Sequence, residues 1–220
     1  MIDMLLFFLL LFHSFFIHLR FDKLFIKKII TLNYKELFHR VVALLSSPAK
    51  EWEEIAKNKE ERLVLSGFVY PMIGLCGLSE FVGTFIGRDF LPEVFQLALT
   101  RCCGVAVSLF IGFFLASYLI KLINERWFDC QKTDEEIQVF VGYSLVVTFV
   151  LQVISGLFSI LIIHWILQIY TLFVVFEGAR KLMNIPETSI TKYTIVATLV
   201  ILLSPTLIDF IFNKLSVTLN

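Results

Sequence analysis

Between Leu63 and Phe212 the apolar residues run in five blocks, each of 18 or more residues and nearly free of ionised side chains: Leu63 to Phe85, Cys102 to Ile123, Ile137 to Ile154, Ser159 to Phe176 and Tyr193 to Phe212. A helix rises about 1.5 Å per residue, so about 20 residues cross a hydrocarbon core about 30 Å thick. The pattern predicts an all-α, polytopic membrane helix bundle of five core transmembrane helices.

Upstream the pattern changes twice. Residues 5 to 19, LLFFLLLFHSFFIHL, form a shorter apolar block preceded by Asp3 and followed by Arg20, Lys23, Lys27 and Lys28, the reverse of the charge order of a cleaved signal peptide. Three readings stay open: a short sixth span, an interfacial helix, or a segment translated from a start codon upstream of the natural one. The favoured one is a short anchor with its C-terminal end in the cytoplasm. In residues 33 to 62, Asn33 is placed to cap YKELFHRVVALL, where Tyr34, Leu37, Phe38, Val41 and Leu45 recur at helical spacing, as in a helix lying in the headgroup layer. Ser47 and Pro48 then open a second helix with Trp52, Ile55 and Ala56 as its apolar stripe, read equally as a solvated helix or a docking one. The chain thus divides into 1–32 (hydrophobic segment and basic linker), 33–62 (cytoplasmic or interfacial amphipathic helices), 63–212 (membrane domain) and 213–220 (short tail).

Composition fits this picture. Of 220 residues 58% are hydrophobic and 17% charged, and the mean hydropathy is +0.83, too apolar for a water-soluble surface. Basic and acidic residues balance at 19 each, which excludes a nucleic-acid partner argued from charge. The distribution of charge says more: connectors on one side of the bilayer hold 16 Lys and Arg, and those on the other hold 3. The positive-inside rule places the region before Leu63 in the cytoplasm of a multi-pass cell (inner) membrane protein, with the C-terminus outside. Trp127 and Tyr193 are expected as interface anchors, and Thr133 with Glu136 as a capping box ahead of the third span.

In lipid, helices associate through close packing and a few shared hydrogen bonds. Gly104, Ser108, Gly112 and Ala116 recur every four residues, a small-residue stripe fit for another backbone, within the bundle or on a partner. Ser144, Thr148 and Gln152 make a polar stripe on the third span, and His164, Gln168 and Thr171 one on the fourth. These two spans form an antiparallel hairpin, so the stripes are expected to hydrogen-bond to each other; the alternative is a polar path or lipid-headgroup cavity lined by Gln152, His164 and Gln168. Glu80, Asp209 and Glu177 stand near span ends, where a charge is less costly, and His164 is the one ionisable group well inside. Pro205, after Ser204, is expected to kink the fifth span, with Ser204 or a neighbour satisfying the freed carbonyl.

Reactive chemistry is not in evidence. Cys76, Cys102, Cys103 and Cys130 share no CxxC spacing, and no HExxH, GxSxG, Walker A or GxGxxG occurs, so no catalytic residue, cofactor or metal site is assigned.

Three features together resemble the YIP family, the Ypt/Rab-GTPase-interacting membrane proteins, in particular its bacterial relatives. These are the lead-in Ser47-Pro48-Ala49-Lys50-Glu51-Trp52-Glu53-Glu54-Ile55, five closely spaced spans, and Gly142-Tyr143-Ser144-Leu145, which looks like the family's GYSL element. The acidic DLYGP-type element of eukaryotic members is absent before Leu63. The resemblance implies no active site; it carries over Gly142, Tyr143 and Ser144 as a structural motif and loosely suggests roles in trafficking or membrane shaping. The reading is a non-enzymatic scaffold or membrane-organising protein, in contact with the lipid bilayer and with other membrane proteins or copies of itself. The alternative is a small transporter or channel subunit using the polar stripes of the third and fourth spans; a lipid-acting enzyme with His164 as base ranks last.

Overall fold

A computed structural model describes residues 34–58, 64–128, 130–158 and 166–218. Seven helices and no strand form among them: α1 (Tyr34–Ser46), α2 (Pro48–Asn58), α3 (Leu65–Phe85), α4 (Pro92–Trp127), α5 (Asp134–Phe158), α6 (Tyr170–Lys181) and α7 (Ile190–Thr218). Four of these, α3, α4, α5 and α7, are long and apolar enough to cross a membrane. The expected fourth span, Ser159 to Phe176, falls partly outside the described residues, as do the 5–19 block, Asn33 and His164.

The helix ends follow local chemistry. Pro71 has no N–H to donate, and the turn before it opens to a π-helical one in which the Tyr70 N–H reaches the Leu65 carbonyl. Helix α4 opens at Pro92, which sits where an N–H has no helical partner anyway, and runs 36 residues, ten before the expected Cys102 start. At about 1.5 Å per residue it outreaches a bilayer core. The Thr133–Glu136 capping box forms: Thr133 Oγ1 accepts from the Glu136 N–H at 3.2 Å, and the Thr133 N–H donates to Glu136 Oε2 at 3.0 Å. Helix α6 stops at Asn184, which takes a left-handed φ of 55° while the Ile185 N–H reaches back to the Ala179 carbonyl.

Helix α5 is the centre of the bundle, 72% buried along its apolar window, whereas α7 is 28% buried and presents most of its surface outward. Leu145 interrupts α5 directly after Gly142-Tyr143-Ser144, splitting it into Asp134–Ser144 and Val146–Phe158. Helix α7 runs on through Pro205. The carbonyl freed by the missing N–H is that of Ile201, but the Ser204 hydroxyl goes to the Val200 carbonyl at 2.7 Å.

Helices α1 and α2 pack on one end of the bundle. The single expected face of α1 divides in two: Leu37, Val41 and Leu44 are buried, while Tyr34, Phe38 and Val42 point outward. Tyr193, expected at a membrane surface, is fully buried between Phe128 and Phe140, with ring centroids 5.0 and 6.1 Å away. Trp127 is exposed.

Candidate functional site

Two places gather the residues that a function would need. The first is the α1–α2 end. Trp52 is wholly buried; its indole N–H donates to the Val174 carbonyl at 2.9 Å, and its ring lies against Phe140 and, edge-on, Tyr143. Gly178 makes room for it, since a β-carbon there would stand 2.8 Å from the indole. The Tyr170 hydroxyl donates to the Leu45 carbonyl at 2.8 Å, Lys181 pairs with Glu53 at 3.5 Å, and Arg40 pairs with the buried Glu51, joining α1 to α2. The second apolar stripe, Trp52 with Ile55, is therefore a docking face.

The Gly142-Tyr143-Ser144-Leu145 element sits beneath this cap. Gly142 lets Val64, Val69 and Phe113 close in, and Tyr143 packs on Phe68 at 4.8 Å with Arg40 above its ring at 5.8 Å. Ser144 is fully buried, and its hydroxyl has no partner among the described residues.

The second place is a cavity of about 550 Å³ between α3, α4, α5 and α7, toward the end of the bundle away from α1 and α2. One wall is the small-residue stripe. Gly104 faces the Phe212 ring, Ser108 faces Asp209, and Gly112 faces the backbone of Pro205, so this side of α4 packs on α7. Ala116 continues the same side and is fully buried.

The polar stripes also converge there. Gln168 donates to Thr148 Oγ1 at 3.1 Å, joining the described part of the chain before α6 to α5. Gln152 turns away from that pairing and donates to Glu80 Oε1 at 3.0 Å. Glu80 and Asp209, set aside from sequence as span-end charges, both line the cavity, and Arg101 lines it with them. Asp209 accepts from Asn213 at 3.0 Å and, more weakly, from Ser108 at 3.5 Å. Thr171 is buried and unpartnered among the described residues. Position along the spans shows the depth of Glu80 and Asp209 but not that they border one space, and Arg101 beside them carried no signal in the sequence reading.

No group of three or more His, Cys, Asp or Glu suited to a metal ion occurs among the described residues, and all four cysteines are free. Glu177 is buried near the α1–α2 end, with Oε2 unpartnered among the described residues.

No curated protein and no solved structure matches this chain. A family model does: the Yip1 domain matches residues 42–208, from within α1 to three residues past Pro205 in α7. That match takes in the Trp52 cap, the Gly142-Tyr143-Ser144-Leu145 element and most of the cavity wall, and the chain belongs to the Yip1 domain family of membrane proteins.

Proposed function

We propose that this multi-pass membrane protein is a non-enzymatic, membrane-organising scaffold whose α1–α2 cap is its working surface, held on the cytoplasmic side. One observation carries the reading. The cap is fixed to the bundle by buried Trp52, yet it leaves Tyr34, Phe38 and Val42, four residues apart, 65%, 70% and 45% exposed. A rigidly mounted apolar stripe at helical spacing is suited to meeting a partner helix or a second copy of the chain. The side follows from charge: the connectors at the cap end carry the excess of Lys and Arg.

The test is a photo-crosslinking amino acid at position 38 in native membranes. Discrete protein adducts that disappear with Tyr34→Glu are expected. No protein adduct, together with solute flux above background in proteoliposomes, would overturn the scaffold.

A second reading, a small transporter or channel subunit, is favoured by the cavity, where Gln152 and Gln168 stand beside Glu80 and Asp209 at membrane depth. Its signature is a flux in proteoliposomes that Gln152→Leu abolishes while insertion and oligomeric state stay unchanged.

A further inference from the structure

Around its axis helix α1 carries three sectors in a fixed order. Leu37, Val41 and Leu44 form the buried one. About 100° round from it, at 3.6 residues per turn, come the exposed apolar side chains Tyr34, Phe38 and Val42. About a quarter turn further come Lys35, His39 and Ser46, exposed as well. An amphipathic helix whose apolar arc met only the bundle would show two sectors. Here one half of that arc rests on the bundle and the other half overhangs its edge, with the polar arc turned away from both.

The level at which α1 is mounted decides what lies against the overhang. In α5 the ionised residues end at Glu136, and Tyr143 stands about 10 Å further along the helix axis at 1.5 Å per residue. In α6 the same boundary is Glu177, and Tyr170 stands about 10 Å inside it. Helix α1 touches both tyrosines: the Arg40 guanidinium lies 5.8 Å from the Tyr143 ring centroid, and the Tyr170 hydroxyl donates to the Leu45 carbonyl at 2.8 Å. It also lies against the Val146–Phe158 half of α5. The helix is therefore held beside the apolar stretches of its two neighbours, deeper than their charged ends. Its own charges suit that level. Arg40 is paired with Glu51, and Lys35, on the polar arc, has a stem long enough to keep its ammonium among head groups.

We infer that Tyr34, Phe38 and Val42 lie in the acyl region of the cytoplasmic leaflet, so that the outward stripe of α1 is covered by lipid chains. This rests on the scaffold reading for the side of the membrane, and it narrows that reading's partner. A helix that reaches Phe38 comes sideways through the leaflet and is itself membrane-embedded; a water-soluble protein is not the partner.

The experiment uses the full-length protein with all four cysteines replaced, reconstituted in liposomes. A nitroxide is attached in turn through Tyr34→Cys, Phe38→Cys, Val42→Cys, Lys35→Cys and His39→Cys. Molecular oxygen concentrates among acyl chains and a neutral nickel chelate stays in water, so the ratio of their collision rates with the nitroxide reads depth. Labels at 34, 38 and 42 are expected roughly 5–10 Å below the head groups, and those at 35 and 39 at head-group level. Nickel access exceeding oxygen access at 34, 38 and 42 means that the stripe is in water and overturns the inference. Low access of both at 38 means a protein cover, whether a second copy or the chain's own 5–19 block, and overturns it too. The two readings fail separately. Lipid-type access at 38 with no protein adduct there upholds the immersion and removes the scaffold, and nickel access at 38 with protein adducts does the reverse. If the cysteine-free chain fails to fold, the photo-crosslinking amino acid at position 38 of the chain with its own cysteines serves instead. Phospholipid adducts are expected there, well above those from position 39, and their absence at 38 overturns the inference.

Discussion

Gly112 lies so close to Pro205 that a β-carbon on it would stand 2.5 Å from the proline Cα and 2.7 Å from its nitrogen. The neighbour is backbone, fixed by a ring, and has no rotamer by which to retreat. Gly112→Leu is therefore expected to force α4 and α7 apart at a cost of about 1–3 kcal/mol or more, and even Gly112→Ala to lower the melting temperature in detergent. Gly74→Ala is the control: nothing lies within 4 Å of a β-carbon there, and a helical Gly→Ala exchange gains up to about 1 kcal/mol. Equal melting temperatures for the 74 and 112 variants would remove the close α4–α7 approach from the argument.

A tighter contact joins α3 to α5. A β-carbon at Gly83 would come 1.8 Å from the Gly156 carbonyl oxygen, and one at Gly156 would meet Ser79 Oγ at 2.7 Å. Gly83→Ala should thus destabilise more than Gly112→Ala, because the obstacle is a carbonyl held by its own helix. The order of the two melting temperatures checks this directly.

How much of this was legible in the sequence depends on the kind of information each feature needs. Blocks of 18 or more apolar residues report solvent, and four such helices stand in the structure. The start of α4 was misplaced because Glu93 and Arg101 break the hydropathy that marks a span, although Pro92 with Glu93 in the first turn is a helix opening. The stripe Gly104, Ser108, Gly112 was visible as spacing; that it faces α7 was not, since a period fixes a side of one helix and says nothing of which helix lies opposite. Gly83 and Gly156 carry no repeat, and their meeting is purely tertiary. Tyr193 reads as an interface ring because Tyr is common there, yet Phe128 and Phe140 enclose it. For the cavity, one Gln of each polar stripe was in view, and the carboxylates opposite them were discounted by their positions along their own helices.

Trp52 fixes the cap, and its removal should free it. Trp52→Ala is expected to cost about 3–5 kcal/mol of the cap's attachment, leaving the Val174 carbonyl without its indole donor and a void beside Gly178. Hydrogen exchange should rise throughout α1 and α2 while α4 and α7 change little. Uniformly unchanged exchange would mean that the ring contributes nothing to docking.

Gln152 and Glu80 are expected to be energetically coupled. Glu80→Gln keeps a side chain able to accept, whereas Gln152→Leu deprives the carboxylate of its one described side-chain donor. A double-mutant cycle with Glu80→Leu and Gln152→Leu should return a coupling on the order of 0.6 kcal/mol, the usual size of a hydrogen bond between membrane helices, and up to about 1.7 kcal/mol if the charge adds to it. Strictly additive effects would show that the 3.0 Å contact carries no energy.

The orientation in the membrane rests on charge asymmetry and is open to a direct test by labelling. Cys130 is a poor reporter: burial pushes its thiol pKa up, and its Sγ lies 3.5 Å from the Met183 carbonyl. A raised pKa leaves little thiolate at neutral pH, so maleimide labelling of Cys130 should be slow at pH 7 and quicken as pH rises toward 9. Gln131 is exposed next to it, and Leu215 is exposed at the far end of α7. In a background with all four cysteines replaced, Leu215→Cys should react with an impermeant maleimide on intact cells, and Gln131→Cys only after permeabilisation. The expected five-span topology puts 16 of the 19 Lys and Arg in connectors on the Gln131 side, and reversing that distribution would cost the positive-inside preference its largest contribution. Labelling of both positions from the same side would contradict the odd number of crossings that the five expected spans require.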